Sequence, residues 1–383
     1  FSKSIIFSED LDMPNIPFFD YSSMYTRFKN DFDRIFSDVC ARGAFILQDD
    51  LVSFERNLAS FLSVRTALGV ADGTNAIQIG LKSCGIGPGD EIVIASHTYV
   101  ATAAAIKLVG AEPVFADIGD DFLMSAASVE TVITPKTKAV MPTQLNGRCC
   151  NMDDLSTLAK RYDLKLFEDS AQGLGAKYKG KCAGSFGDFG TLSFYPAKLL
   201  GCFGDGGAIM TNDLNLGRRI SLYRDHGRDE KGVVVDWGTN SRLDNLQAAI
   251  LDFKLSKFDE DIARRREIAS RYDDAFSNHK MLTTPPGPVD GDHFDVYQNY
   301  ELAVENRDEL QKYLAEKGIK TVVQWGGTPV HHFEKLGYGK EKFTHLKKTD
   351  WFFDRCLMLP IHMSLTNEDV SYIAEQVHAF YRR

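Results

Sequence analysis

The residues best suited to chemistry lie between Phe186 and Met210, in FGDFGTLSFYPAKLLGCFGDGGAIM. Lys198 sits between a β-type run, Thr191-Leu192-Ser193-Phe194, and a loop carrying Gly201, Gly204, Gly206 and Gly207, after which Ala208 to Thr211 reads as a further strand. An ammonium confined between buried strands must be paired or used, because an unpaired buried charge is costly. A lysine amine that loses its proton readily attacks carbonyls, so Lys198 reads as an imine-forming lysine. Ser193, five residues upstream, is placed to donate to a phosphate while Lys198 holds the other end of the same ligand.

Three more strand ends carry polar groups that would converge with it. Gly73-Thr74-Asn75-Ala76 opens a helix, where free backbone N–H groups and the Thr74 hydroxyl suit a phosphate; taken alone, the turn reads first as a simple helix cap. Glu168-Asp169 closes the strand in LKLFEDSAQ. A carboxylate there can pair with a pyridinium nitrogen, bind Mg²⁺ or cap a helix, and the strand end does not choose among these. Ser96-His97-Thr98-Tyr99 follows another strand and offers a ring that could stack on a planar ligand or simply join the core.

The elements that must position these groups alternate in type. Ala67 to Ala71, Glu91 to Ala95, Val114 to Ala116, Ala139 to Met141 and Leu164 to Phe167 read as strands, with helices between them, including one over Thr102 to Val109 and one capped by Asn151. That alternation implies an α/β domain with a largely parallel sheet and ligands at the carboxyl ends of its strands. Helices are expected over Ser23 to Val39 and Leu51 to Leu62 ahead of it, and an arm over Phe1 to Asp12. After Lys254 the texture changes to a long polar helix over Asp259 to Phe276, a break at Pro285-Pro286-Gly287-Pro288, a strand over Val296 to Val304, and helices over Arg307 to Lys317 and Asn367 to Tyr381. The expected division is an N-terminal arm and helix over 1–40, a large domain over 41–254 and a small domain over 255–383.

The 383 residues, 44% hydrophobic and 25% charged, describe an ordinary globular chain. A net charge of -9 argues against nucleic acid, and the basic trio Arg264-Arg265-Arg266 reads as a solvated helix face. No apolar run approaches the roughly 20 residues of a membrane helix, and no signal-peptide pattern opens the chain. Seven scattered cysteines, without a C-x-x-C pair, read as reduced thiols of a cytoplasmic protein with no structural metal. The sequence begins at Phe1, which leaves its native start open.

Four stretches together, GTNAIQIGLKSCGIGPGDEIVIASHTYVATAAAI, EDSAQGLGAKYKGKCAGSFGD, SFYPAKLLGCFGDGGAIMTND and GTNSRLDNLQAAIL, resemble the DegT/DnrJ/EryC1/StrS family of sugar aminotransferases. The resemblance runs from about Ile16 to the final helix. It implies a fold-type I pyridoxal 5'-phosphate enzyme with a mostly parallel seven-stranded-type sheet plus a smaller C-terminal α+β domain, assembled as a homodimer with active sites at the subunit interface. By position, it implies Lys198 as the Schiff-base lysine and proton shuttle, Asp169 as the partner of the pyridine nitrogen, Tyr99 stacked on the ring and Gln172 beside the ring hydroxyl. Thr74, Asn75 and Ser193 would hold the phosphate, with Asn240 reaching across from the other subunit.

Relatives with histidine in place of the lysine are dehydratases, so Lys198 argues for transamination. The implied reaction moves an amino group from L-glutamate to a keto group, at C3 or C4, of a nucleotide-linked deoxysugar. Gln144-Leu145-Asn146-Gly147-Arg148 stands where relatives commonly read H-L-Y-G, near the expected sugar site, which keeps open a cyclitol or small phosphorylated ketone as substrate. A non-catalytic regulatory member of the fold is the rival from another class. His226, His331, His332 and His362 fall in segments that contact sugar or nucleotide in relatives, but each reads as structural and none is assigned catalysis.

Overall fold

Short apolar runs closed by Gly, Asp or Asn turns become the strands of one sheet: β1 (Thr66–Val70), β2 (Glu91–Ala95), β3 (Glu112–Ala116), β4 (Thr137–Val140), β5 (Lys165–Asp169), β6 (Phe189–Ser193) and β7 (Gly207–Thr211). The computed structural model describes residues 14–287 and 291–383, so the arm expected over Phe1 to Asp12 and Pro288 of the expected break lie outside it. Strand order is β1-β7-β6-β5-β4-β2-β3. Pairing is parallel from β3 through β6. β7 alone runs antiparallel, to both β1 and β6. The α/β class and the mostly parallel seven-stranded sheet are as the sequence implies.

Helices α1 (Tyr21–Thr26), α2 (Lys29–Arg42) and α3 (Asp49–Leu62) precede the sheet; α4 (Gly73–Ser83), α5 (Val100–Leu108), α6 (Ala126–Val132), α7 (Met152–Arg161) and α8 (Leu214–Arg224) lie between or after its strands. α4 sits tight on the sheet, since a Cβ on Gly80 would stand 2.4 Å from the Phe189 ring, and that ring stacks on Phe167 at 4.4 Å. This contact fixes the height at which α4 starts. The remaining helices are α9 (Asn245–Leu255), α10 (Phe258–Phe276), α11 (Arg307–Glu316), α12 (Lys347–Phe353) and α13 (Asn367–Tyr381). A small antiparallel sheet, β8 (Leu282–Thr283), β9 (Tyr300–Val304) and β10 (Cys356–Leu359), shares a second core with α10, α11 and α13 around Tyr272, Tyr300, Leu314 and Ile373. Thr366 and Asp369 form a capping box that starts α13.

Three expectations need correction. The helix expected over Ser23 to Val39 is two helices, because Phe28 leaves helical geometry (φ -130°, ψ 31°) to set its ring edge-on to Phe32 and Phe253, while Arg27 pairs with Asp261. Phe36, in the second of them, is 56% exposed. The strand expected over Val296 to Val304 begins only at Tyr300, since Tyr297 is left-handed (φ 52°) and breaks the extended run. The third is the basic trio, which is not a solvated face. Arg264 donates to the Leu365 carbonyl, Arg265 to those of Tyr297 and Gln298, and Arg266 to that of Asp295. All seven cysteines are free. Among the described residues, no helix is long and apolar enough to cross a membrane.

Candidate active site

The site is built where β1, β6 and β7 bring their backbones against the start of α4. Asp72 caps that helix by accepting from Asn75 N at 2.8 Å, and it also accepts from Asn75 Nδ2 at 2.6 Å. The first N–H groups of a helix have no partner within it, so those of Gly73 and Thr74 remain for a ligand. A Cβ on Gly73 would meet Ser193 Cβ at 2.9 Å, and one on Gly207 would meet the Asp72 carbonyl at 2.5 Å. Only glycines let the three chains approach so closely, and the result is a cradle of amides and hydroxyls at the positive end of a helix dipole.

At the other end stands Asp169, buried at the tip of β5. Its Oδ2 accepts from Thr102 Oγ1 at 2.6 Å and its Oδ1 from Ala171 N at 3.1 Å. Behind Thr102 runs a hydroxyl chain, Thr102 to Thr98 to Thr143, with steps of 2.8 Å. Neighbouring residues on a strand face opposite ways. Glu168 accordingly points to the other side, where it accepts from Gly184 N, Phe186 N and Gln144 Nε2. Burial pushes the Glu168 carboxyl up while these donors pull it down. Glu168 is spoken for, and Asp169 is the carboxylate that faces the cavity.

Lys198 lies in the loop joining β6 to β7, its own N–H turned back to the Tyr195 carbonyl at 2.8 Å. Loss of water pushes the pKa of its amine down to about 8, and Asp169 pulls it part-way back. Thr74, Asn75, Tyr99, Asp169, Gln172, Ser193 and Lys198 all line one cavity of about 730 Å³. Asn240 does not; it sits on an exposed hairpin, bridged through its backbone to Asp225. Tyr99 is 54% exposed, and its ring lies 6.1 Å from that of Trp325. Gln172 Oε1 accepts from Asn146 N at 2.9 Å, which leaves its NH₂ group as the donor.

Sequence reasoning missed the residues that the small sheet and its loops bring to the same cavity: Gln298, Asn299, Gln324 and Trp325. The sequence signal for one of them is the Gly326-Gly327 pair after Trp325; in the structure all three residues are left-handed. Gln144 to Arg148 does run beside the cavity, Asn146 bonding Gln172, Asn299 and Gln324. Of that stretch only Leu145 lines the cavity; Gln144 holds Glu168, and Arg148 pairs with Asp295 at 2.5 Å. None of the four histidines lines this cavity; His331 and His332 both bond Asp350, and His362 bonds the Pro17 carbonyl and Ser364.

The chain matches the DegT/DnrJ/EryC1/StrS aminotransferase family over residues 27–378. It belongs to that family. The aminotransferase is similar in fold to the DesV protein of S. venezuelae solved in complex with a ketimine intermediate, with a TM-score of 0.92 and 34% identity over 97% of this chain and 99% of that one. It is 38% identical to a pleiotropic regulatory protein of Geobacillus stearothermophilus over 96% of this chain and 99% of that protein. It is also 35% identical to a UDP-2-acetamido-2-deoxy-3-oxo-D-glucuronate aminotransferase of Pseudomonas aeruginosa, over 94% of this chain and 98% of that one. The resemblance read from the four motifs, the fold type and the assignment as an enzyme are borne out. The cradle at Gly73 and Gly207, with a low-pKa amine and a carboxylate across the same cavity, fits a phosphorylated, planar, carbonyl-bearing cofactor such as pyridoxal 5'-phosphate.

Proposed function

We propose that this aminotransferase uses pyridoxal 5'-phosphate to move an amino group from L-glutamate to the keto group, at C3 or C4, of a nucleotide-linked deoxysugar. The observation that carries the reading is the single cavity holding Lys198, Asp169 and the Gly73–Ser193 cradle together. When bound, the cofactor supplies an aldehyde for amines to condense with and a protonated ring that stabilises negative charge on the adjoining carbon. Thr74, Asn75 and Ser193 would hold its phosphate at the helix start. Asp169, steadied by Thr102, would keep the ring nitrogen protonated. Tyr99 would lie against the ring and Gln172 would offer its NH₂ group to the ring hydroxyl.

Lys198 would hold the aldehyde end of the cofactor, and its Nζ is the group placed to take up a proton and give it back. An amine whose pKa stands at about 8 can do both near neutral pH. The activated-sugar substrate is supported by the UDP-linked 3-oxo sugar in the name of the Pseudomonas relative. An exposed apolar run, Val233 to Val235 with Trp237 88% exposed, rises beside Asn240 and supports a homodimer in which Asn240 completes the partner's phosphate site. The same reading takes residues 41–254 as the cofactor domain and 255–383 as the small domain, supported by the second core around Tyr272 and Ile373. It places the enzyme in the cytoplasm, supported by its seven free cysteines.

The test is to load the purified protein with pyridoxal phosphate, add L-glutamate, and follow the visible band of the lysine-linked cofactor together with 2-oxoglutarate release. The band is expected to fall and 2-oxoglutarate to appear in step; a band unmoved by glutamate or any other amino donor sinks the reading. A panel of nucleotide keto-sugars against cyclitol ketones and small phosphorylated ketones then identifies the acceptor. A regulatory role, suggested by the name of the Geobacillus relative, requires the half-reaction to fail. The presence of both Lys198 and Asp169 in the cavity argues against it.

A further inference from the structure

We propose that Gln298 is a positioning residue for Lys198, holding the lysine's backbone from both sides across the boundary between the two sheets. Its carboxamide oxygen accepts from Leu199 N at 2.7 Å, and its carboxamide nitrogen donates to the Ala197 carbonyl at 2.8 Å. Those are the two residues that flank Lys198. A primary amide presents one acceptor and one donor side by side, as a peptide unit does, so Gln298 pairs with the lysine loop as a strand of one residue would. Glutamate at this position has no donor for the Ala197 carbonyl, and asparagine is one carbon shorter.

Gln298 is itself rigidly held. It is 5% exposed and follows the left-handed Tyr297, and the half-buried Arg265 guanidinium donates to the carbonyls of Tyr297 and Gln298 at 2.9 and 3.2 Å. On the facing side the lysine loop has little slack, because a Cβ on Gly201 would stand 2.5 Å from the Pro196 carbonyl and Lys254 donates to the carbonyl of Gly201. With its backbone pinned on both sides, Lys198 reaches the cavity through its side-chain torsions alone. An amine that must both bond a carbonyl and carry protons gains from that, since rate falls steeply with misplacement. The clamp also ties the lysine to the segment leading into β9, so a shift of the small sheet is felt at Nζ.

The inference rests on the proposed role of Lys198, and the experiment separates the two. Wild-type protein, Gln298→Met, Gln298→Glu and Lys198→Ala are freed of cofactor and mixed with pyridoxal phosphate. The readouts are the rate at which the lysine-linked band appears, its pH midpoint, the site labelled after borohydride reduction, and the unfolding midpoint without cofactor. Gln298→Met is expected to form the band roughly tenfold more slowly while still folded, because the loop is no longer pinned. Gln298→Glu keeps the Leu199 contact and adds a negative charge, and is expected to raise the pH midpoint by about one unit. If Lys198→Ala still forms the band at full strength, both readings fall together. If that control is blank and both Gln298 variants match wild type in rate and midpoint, only the inference about Gln298 is overturned.

Discussion

Burial acts on Lys198 in two ways: it strips water from the ammonium, and it places the amine within reach of the Asp169 charge. The first effect is larger and brings the pKa from 10.5 to about 8, with Asp169 opposing it. The sign for reactivity follows, since only the neutral amine attacks a carbonyl and its share grows as pH rises. Covalent attachment of pyridoxal phosphate is therefore expected to accelerate with pH along a rise centred at about 8 and to level off above that rise. Asp169→Asn, which removes the opposing charge, should move the rise to lower pH. Stopped-flow absorbance across a pH series checks both, and a rise centred near 10.5 in the wild type would show that the amine is not desolvated. The expected residues Thr74, Tyr99, Asp169 and Ser193 were legible because each is a polar group at the end of an apolar strand or the head of a helix, and Lys198 because it stands between two such strands. Gln298 was not: an uncharged amide in a polar stretch, a hundred residues from its partners, carries no pattern that points to them.

Among the elements, β7 and α4 are the pair on which the cradle depends. Gly207 begins one and Asp72 caps the other, and the 2.5 Å approach leaves no room for a methyl group against backbone atoms that cannot swing aside. Gly207→Ala is expected to destabilise the fold by about 1–3 kcal/mol and to weaken pyridoxal phosphate binding as well. Gly87→Ala is the control, since its added carbon meets nothing closer than 4.0 Å. Urea unfolding and a cofactor titration measure the two effects, and equal behaviour of the two variants would remove the cradle argument. The strand Glu91–Ala95, read from sequence with the same ends, was legible because the turn Gly87-Pro88-Gly89-Asp90 sets its start locally. The kink at Phe28 and the late start of the strand at Tyr300 were not, since their causes are distant: the ring of Phe253 in one case, the guanidinium of Arg265 in the other. The same distance hid the work of Arg264 to Arg266, which local sequence presents as a charged surface.

For the molecule as a whole, the proposed dimer makes a definite demand. Val234→Asp with Trp237→Arg, on the exposed hairpin beside Asn240, is expected to give monomers in light scattering and to weaken cofactor binding, because each site would lose the partner's asparagine. Asn240→Ala should weaken binding while leaving the dimer intact. A double variant that stays dimeric, or a monomer that binds cofactor at full strength, would contradict the shared site. One further consequence lies in the sheet order. β7, the last of its seven strands to be synthesised, inserts between the first and the sixth, pairing residues 207–211 with 66–70. Until that segment leaves the ribosome, β1 has no neighbour and the head of α4 nothing to face, and closing so long a loop is an entropic step that local contacts do not assist. A nascent chain cut short of Gly207 would hold Lys198, Asp169 and Ser193 and still have nowhere to put a phosphate. Cofactor capture is thus a report on a completed central sheet: the ligand can stabilise only chains whose last sheet strand has already gone in.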